Sequence, residues 1–385
     1  MSIFAAVMTG AGTGAISTVQ VFGEGAETVV KKIFKSAHSK PITFKTGKIY
    51  VGTIVYEIET IDQVTIGCEG KNTFAINCHG NPLIVEMIME LLKQNGAVLI
   101  NAEQLLAKIL MAEAHSHTIE VEAKIFHARA ETLEGTKIIL NQIEDGLGAK
   151  AQNWLNELNT GSLEKIKDEA AEILENSRIA KSIMYGCTIV LAGPANSGKS
   201  TLLNYLAGKQ KSIVTDIKGT TRDWISSKCK LGAIVAEIID TAGLDVSGDM
   251  LDKQAKEKTI EVLQKADLVL LVLDGSQSDN QFNENIVKGI ADTKILTVIN
   301  KSDLPVRLKV NNQVEAVQIS AKFGTGIENL LGKIQQSLGV TVFDSKVAAC
   351  FTDRQERLVK KVAESKSKDE AASVITELLN GQIEV

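Results

Sequence analysis

The stretch GPANSGKST, residues 193–201, decides the fold of the central part of this chain. Its glycine, lysine and serine positions fit the pattern G-x-x-x-x-G-K-S/T. The apolar run CTIVLAG precedes it and the helical pattern STLLNYLAG follows, which is the strand–loop–helix context that the motif requires. Gly193 and Gly198 let backbone N–H groups converge on phosphate oxygens, at the positive end of the helix. We therefore expect Lys199 to bind the β- and γ-phosphates and the Ser200 hydroxyl to bind Mg²⁺.

Three further motifs end later apolar runs: DTAGL from residue 240, NKSD from residue 300 and SAK from residue 320. Asp240 can hold Mg²⁺ through a water molecule, and the N–H of Gly243 can meet the γ-phosphate. The Asp303 carboxylate can accept two hydrogen bonds that guanine donates and adenine does not. Ligands of parallel sheets bind at the carboxyl ends of the strands, so these motifs should converge on the phosphate loop. Together they predict a GTP site.

The polar loop VTDIKGTTRD, residues 214–223, stands where GTPases place the segment that closes over Mg²⁺ and the γ-phosphate. Thr221 is the expected second Mg²⁺ hydroxyl, and a solvated loop without a ligand role is the alternative. Ras-type GTPases follow the DTAG motif with a glutamine that orients the attacking water, whereas this chain has Leu244. Catalysis therefore needs a different polar group and a different positive charge, for which Arg222 is the nearby candidate.

The expected GTP contacts come from the phosphate loop, the switch loop and the three later motifs. We expect Lys301 to lie along the base, Asn300 to brace its loop and the backbone of 320–322 to donate to the guanine oxygen. The whole set is Asn196, Ser197, Gly198, Lys199, Ser200, Thr201, Thr215, Asp216, Ile217, Lys218, Gly219, Thr220, Thr221, Asp240, Thr241, Ala242, Gly243, Asn300, Lys301, Ser302, Asp303, Ser320, Ala321 and Lys322.

The pattern along the chain predicts several domains, since 385 residues exceed one ordinary core. Residues 1–102 alternate short β-rich runs with turns and contain one helix over 81–96, with Pro82 in its first turn and Gly96 at its end, which predicts a small α+β domain. Residues 103–182 and 339–385 have helical patterns, whereas 183–338 alternate apolar strands with helices, as in a parallel sheet covered on both faces. We therefore expect a multidomain α/β protein in which a P-loop G domain is inserted in a helical domain and follows the α+β domain.

The composition of the chain limits its possible partners and cellular compartment. The formal net charge of −5 argues against wholesale wrapping of nucleic acid, although a local basic patch stays possible. Five cysteines without a C-x-x-C pair indicate reduced thiols. The first residues have no basic segment before an apolar run, and no apolar run reaches the roughly 20 residues of a membrane span. We expect a cytoplasmic protein that does not cross a membrane.

The motifs together, with helical segments on both sides of the G domain, resemble the MnmE (TrmE) family of tRNA modification GTPases. The likeness is strongest from about residue 187 to 338, and the amino-terminal stretches TGAGTGAISTVQVFG and INCHGNPLIVEMIMELLKQNGA resemble the family's first domain more weakly. The resemblance implies GTP hydrolysis, a homodimer, Mg²⁺ and K⁺ as cofactors, and modification of the wobble uridine of tRNA with the flavoprotein partner MnmG (GidA).

The resemblance also assigns residues that the motifs alone do not. Asn196, Thr215, Ile217 and Thr220 resemble the family's K⁺ contacts, Ile217 through its carbonyl. Glu257 matches the family's catalytic glutamate and would orient the water that Leu244 cannot, with Arg222 completing the switch motif. A solvated helix glutamate is the alternative for Glu257.

The chain departs from the family pattern at the expected folate site. Gln20 replaces an arginine that contacts folate, and Ala75 replaces the acidic residue four places before His79. The family's cysteine motif C-(I/V/L)-G-K has no counterpart in the closing residues LLNGQIEV. We therefore expect weak or absent folate binding. Two alternatives stay open, a regulatory GTP switch that has lost tRNA modification and a ribosome-assembly GTPase.

Overall fold

The computed structural model describes residues 2–10, 12–37, 42–70, 72–113, 117–159, 161–209, 225–240, 261–278, 293–309 and 316–384. The chain divides into two compact units, one formed by Met1–Ile125 with Gln382–Val385 and the other by Phe126–Gly381. In the described ranges, no helix has both the length and the apolar character needed to cross a membrane.

The first unit is built on a seven-stranded sheet with the order β3-β4-β5-β6-β2-β1-β7. Neighbouring strands run antiparallel except β1 and β7, which run parallel. Its elements in chain order are β1 (Ile3–Val7), β2 (Ile16–Phe22), α1 (Ala26–Ile33), β3 (Phe34–Ser36), β4 (Lys48–Tyr56), β5 (Glu59–Gly70), β6 (Thr73–His79), α2 (Pro82–Gln94), β7 (Ala97–Leu99), α3 (Ala102–Glu113) and α4 (Thr118–Phe126).

Helix α2 shows how local sequence sets the element boundaries of this unit. The side chain of Asn81 accepts a hydrogen bond from the Leu83 N–H, and Pro82 occupies the first turn, where its missing N–H costs nothing. Gly96 follows the helix with a positive φ of 96°. The helix buries Ile88 and Leu92 on the sheet, so the predicted helix over 81–96 is confirmed. The prediction that residues 1–102 contain only this helix is wrong, since α1 also forms there.

The second unit combines helices with a six-stranded sheet of order β13-β12-β11-β8-β10-β9. All neighbours run parallel except β9, which runs antiparallel to β10. Its elements are α5 (Leu133–Glu144), α6 (Leu147–Glu157), α7 (Leu163–Tyr185), β8 (Cys187–Ala192), α8 (Lys199–Lys209), β9 (Ile225–Leu231), β10 (Ile234–Asp240), β11 (Leu268–Asp274), β12 (Ile295–Asn300), β13 (Ala316–Gln318), α9 (Ile327–Ser337), α10 (Asp353–Glu364) and α11 (Lys368–Asn380).

Helices from before and after this sheet pack together, α7 against α10 and α6 against α11. Gln142 of α5 is fully buried and bonds the later segment twice, since its Nε2 donates to the Val347 carbonyl at 3.1 Å and its Oε1 accepts from the Ala349 N–H at 2.9 Å. The Tyr185 hydroxyl donates to the Phe351 carbonyl at 2.7 Å. Through these contacts, the helices that precede the second sheet and those that follow it share buried side chains.

The predicted α/β class is confirmed, and the sheet of the second unit has the strand pattern that the apolar runs indicate. Strand β11 is buried along almost its whole length, as expected for a strand covered on both faces. Strand β9 was missed because its sequence ISSKCKL is mostly polar. Its Cys229 and Leu231 are buried while Lys228 and Lys230 are exposed, the alternation of an edge strand.

Candidate nucleotide-binding site

The candidate site lies at the carboxyl edge of the second sheet. Strand β8 ends at the phosphate loop, and its neighbours β10 and β11 end at Asp240 and Asp274. The next strand, β12, ends at Asn300. Strand β10 lies on one side of β8 and β11 on the other, so the strand order reverses at β8. This makes the edge a topological switch point. The predicted motifs are thereby gathered at one edge.

At two positions of the phosphate loop, the backbone conformation and the close neighbours allow only glycine. Gly193 has a φ of 137°, and a Cβ there would collide with the carbonyl oxygen of Val272. Gly198 has a φ of 96°, and a Cβ there would collide with Nδ2 of Asn300. Asn196 also adopts a left-handed φ of 60°, with its side chain on the exposed side of the loop. These turns give the loop the cradle shape that phosphate binding requires.

Lys199, the first residue of α8, turns back into this loop. Its Nζ donates to the carbonyl oxygens of Gly193 at 2.9 Å and Pro194 at 2.8 Å, and the residue is 7% exposed. The ammonium group is therefore held inside the loop at the N-terminal end of α8. A fixed cation at a helix N-terminus favours an anion at this point.

Ser200 and Asp240 form the oxygen-rich side of the site. The Ser200 hydroxyl donates to Oδ2 of Asp240 at 2.6 Å. Asp240 is 2% exposed, and within the described residues its Oδ1 has no hydrogen-bond partner. A buried carboxylate oxygen without a partner is costly, and a carboxylate beside a hydroxyl is the hard-oxygen donor set that Mg²⁺ prefers. The arrangement fits the divalent ion that nucleotide-dependent GTPases use.

Asn300 joins the phosphate loop to the base motifs. Its Nδ2 donates to the Ser197 carbonyl at 2.8 Å, and its Oδ1 accepts from the Ala321 N–H at 2.9 Å. Asn300 is 3% exposed, so both bonds lie out of water. This is the geometry that the expected bracing role demands. The Ser197 hydroxyl is also buried and, within the described residues, has no partner.

The base motifs lie beside this junction. The Ser320 hydroxyl donates to Oδ1 of the exposed Asp303 at 2.6 Å. Ser302 donates its N–H to the Ile319 carbonyl at 3.0 Å, so the NKSD and SAK loops run together. Lys322 is exposed, with its Nζ 5.1 Å from the centre of the Phe323 ring. Thr201 is an exposed residue of α8.

Two residues that sequence reasoning missed complete this side of the site. Asp274 bonds Lys301, its Oδ2 lying 2.7 Å from the lysine Nζ, and Ser276 donates both its N–H and its hydroxyl to Oδ1 of Asp274. Burial raises the pKa of Asp274, but hydrogen bonds from Lys301 and Ser276 outweigh it and bring the pKa below its ordinary value. The available signal was that Asp274 ends an apolar strand, as Asp240 does.

Several predicted residues lie outside the described residues. They are the switch positions Thr215, Asp216, Ile217, Lys218, Gly219, Thr220, Thr221 and Arg222, the residues Thr241, Ala242, Gly243 and Leu244, and Glu257. Their roles stay predictions.

The expected folate region of the first unit has different chemistry. Gln20 and Ala75 are register partners on β2 and β6. The Gln20 Nε2 donates to Oε2 of Glu69 at 2.6 Å, so a carboxylate stands beside the position of the family's arginine. His79 contacts the buried Asp62, its Nδ1 lying 2.6 Å from Oδ1. Sequence reasoning did not single out Glu69 or Asp62.

The sheet, the glycine-shaped loop and the guanine-type motifs define this chain as a P-loop GTPase, an enzyme that hydrolyses GTP. Residues 188–301 match the family model described as "50S ribosome-binding GTPase", and residues 3–104 match the model "GTP-binding protein TrmE N-terminus".

Among curated proteins, the chain is 30% identical over 373 residues to the tRNA modification GTPase MnmE of Acetivibrio thermocellus, covering 86% of this chain and 81% of that protein. It is 30% identical over 388 residues to MnmE of Carboxydothermus hydrogenoformans, covering 91% and 82%. MnmE of Heliobacterium modesticaldum is 29% identical over 374 residues, covering 86% and 80%. The chain belongs to the MnmE family of tRNA modification GTPases.

Proposed function

We propose that this protein hydrolyses GTP to drive modification of the wobble uridine of tRNA. The observation that carries the GTP part of the proposal is the bond pair of Asn300, which ties the phosphate loop at Ser197 to the guanine motif at Ala321. Relatives similar over at least four fifths of their own length are named tRNA modification GTPases, which favours this function over a regulatory switch that has lost it.

The phosphate end of the proposed site uses Lys199 and the backbone N–H groups of the loop to hold the β- and γ-phosphates. Ser200 and Thr221 would bind Mg²⁺ directly, and Asp240 would bind it through water. The unpartnered Oδ1 of Asp240 and its bond to the Ser200 hydroxyl support this assignment. Mg²⁺ would neutralise charge on the phosphates.

The base end uses Asp303 as the acceptor of two guanine hydrogen bonds and Lys301 as the side chain along the base. The Ser320 hydroxyl orients the Asp303 carboxylate, and the Asn300 bridge fixes the loop that carries both residues. Adenine would leave the carboxylate unpaired, so we expect selectivity for GTP.

For hydrolysis we propose that Glu257 orients the attacking water and that a K⁺ ion supplies positive charge near the transferred phosphoryl group. Asn196, Thr215, Ile217 and Thr220 would hold the ion, and Arg222 would assist from the switch. The exposed Asn196 side chain at a left-handed point of the phosphate loop supports the first of these contacts.

At the level of the chain, we propose four segments. Residues 1–102 form the amino-terminal domain, 183–338 the G domain, and 103–182 with 339–385 one helical domain into which the G domain is inserted. The bonds from Gln142 to the segment around Ala349 support the last point. We further propose a cytoplasmic homodimer that works with the flavoprotein MnmG and tRNA.

Folate does not fit the region where the family binds it. The amide of Gln20 is already bonded to Glu69, whose carboxylate would repel an anionic folate, and Ala75 cannot accept a hydrogen bond through its side chain. We propose that formyl-tetrahydrofolate binds weakly or not at all. A micromolar dissociation constant by calorimetry would contradict this.

The guanine assignment is tested with Asp303→Asn. The variant should lose GTP turnover and gain turnover of xanthosine triphosphate, because the ring oxygen of xanthine prefers an amide donor. Asp344→Asn is the matched control, since Asp344 is an exposed aspartate that also accepts a single hydrogen bond, from Lys346 N–H. Equal turnover of GTP and ATP by the unmodified protein would refute the site.

The remaining proposals have separate tests. GTP turnover should be faster in K⁺ than in Na⁺ at equal ionic strength, by on the order of a hundredfold, and Asn196→Ala should remove the difference.

Mass spectrometry of tRNA from cells with and without this protein tests the modification. The same extent of wobble-uridine modification in both kinds of cell would contradict the proposed role.

A further inference from the structure

The ion pair between Asp274 and Lys301 stands at the edge of the proposed guanine pocket. Asp274 ends β11 in register with Asn300, which ends β12, so Lys301 begins the loop directly beside it. The Asp274 side chain is 8% exposed and the Lys301 side chain 32% exposed. The pair is therefore much better shielded from water than an ordinary surface ion pair.

Asp274 has little freedom to contact a nucleotide itself. Its Oδ2 lies 2.7 Å from the Lys301 Nζ, and its Oδ1 accepts from the Ser276 N–H at 2.9 Å and from the Ser276 hydroxyl at 2.7 Å. Both carboxylate oxygens are thus engaged by donors from this chain. Of its two partners, Lys301 is the one expected to lie along the base, so we expect Asp274 to act on a bound base through Lys301.

The surrounding backbone fixes the position from which the Lys301 side chain extends. Lys301 has a left-handed φ of 64°, which is uncommon for a residue with a side chain. The loop is bonded to the turn after β11, since Gly275 donates to the Asn300 carbonyl at 2.9 Å and Arg307 donates to the Gly275 carbonyl at 2.8 Å. The Asp274 turn therefore holds both the backbone and the ammonium group of Lys301.

We propose that Asp274 is a positioning residue that holds the Lys301 side chain along the guanine-binding face and so sets how long a guanine nucleotide stays bound. This rests on the proposed role of Lys301 at the base. A free lysine samples many rotamers, and fixing its ammonium group before the nucleotide arrives removes that entropy loss from binding. The Asp274 carboxylate favours the Lys301 rotamer that brings the ammonium group to it.

The test is a double-mutant cycle on Asp274→Asn and Lys301→Ala, with release of fluorescent GDP and steady-state GTP turnover as readouts. Each single variant should release GDP about tenfold faster and raise the KM for GTP. The double variant should match Lys301→Ala alone, because Asp274 acts only through that lysine. Glu169→Gln is the control, since Glu169 bonds Trp154 and Lys150 away from this edge and should leave release unchanged.

Effects that add in the double variant, or a lowered kcat with unchanged KM, would show a merely structural role and overturn the inference. If Asp274→Asn does not fold, Ser276→Ala replaces it, because it removes one of the two Ser276 donors and should speed release about threefold. Unchanged release in that variant overturns the inference too. If the unmodified protein does not prefer GDP to ADP, the proposed guanine site fails instead, which separates the two outcomes.

Discussion

At the scale of single residues, Asn300 connects the phosphate half of the site to the base half. Its amide donates one hydrogen bond to the Ser197 carbonyl and accepts one from the Ala321 N–H. A Cβ added at position 198 would collide with Nδ2 of the same side chain. A shorter side chain could not reach both partners, and an ionised aspartate could not donate to the Ser197 carbonyl. The motif NKSD thus has an asparagine for geometric reasons as well as chemical ones.

Replacing Asn300 by alanine should destabilise the second unit and weaken GDP binding. The change leaves the Ser197 carbonyl and the Ala321 N–H buried without partners, at a cost of about 3 kcal/mol in the free energy of unfolding. Urea unfolding followed by circular dichroism measures the loss. Asn141→Ala is the control, since Asn141 donates to the exposed Lys346 carbonyl and its loss should cost less than about 1 kcal/mol. Equal costs for both variants would contradict the bridge.

At the scale of elements, the turn from β8 into α8 depends on backbone shape more than on side-chain chemistry. Gly193 and Gly198 have positive φ values of 137° and 96° and stand against the backbone of β11 and the Asn300 side chain. A Cβ at either position would push the loop away from its partners. The loop can therefore present its N–H groups only because these two residues have no side chain.

We expect Gly198→Ala to abolish measurable GDP binding, because the added methyl group meets Asn300 and the φ of 96° disfavours alanine. Gly208 offers a matched control within the same helix, since a Cβ there meets nothing within 4 Å. Gly208→Ala should keep GDP affinity and stabilise the protein by about 0.5–1 kcal/mol. Calorimetric titration and thermal unfolding report both quantities, and GDP binding by Gly198→Ala at the affinity of the unmodified protein would show that the loop tolerates a Cβ.

At the scale of the whole molecule, the five cysteines are all buried, and none of them forms a disulfide. Burial, with the nearby Asp267 carboxylate, raises the pKa of the Cys187 thiol to about 12, and burial raises that of Cys229 to about 11. A raised pKa means that almost no thiolate, the reactive form, exists near neutral pH. These two thiols therefore behave as small core side chains.

The folded protein should accordingly react slowly with iodoacetamide at pH 8. Mass spectrometry should find Cys187 and Cys229 essentially unmodified after a time that fully labels all five cysteines in urea. Reactivity should rise with pH, since the thiolate fraction grows toward the raised pKa. Rapid labelling of Cys187 in the folded protein would show that its strand opens to solvent.

The sequence by itself determined the phosphate loop, the guanine motifs and the parallel strands that carry them. These signals are local: glycine spacing, a lysine before a helix, and apolar runs long enough to be covered on both faces. The helix over 81–96 was likewise legible from Pro82 and Gly96, because signals at helix ends act within one turn. Family membership followed from the same motifs in their order.

Only the tertiary structure decided which side chains meet across the sheet edge. Asp274 and Lys301 are 27 positions apart, and Asn300 and Ser197 are 103 apart, so no local pattern joins them. The edge strand β9 was likewise hidden, because its pairing with β10 stabilises a polar sequence that alone predicts no strand. Partners fixed by register and by the crossing of parallel strands become visible only once the sheet is assembled, since distance in space there is independent of distance along the chain.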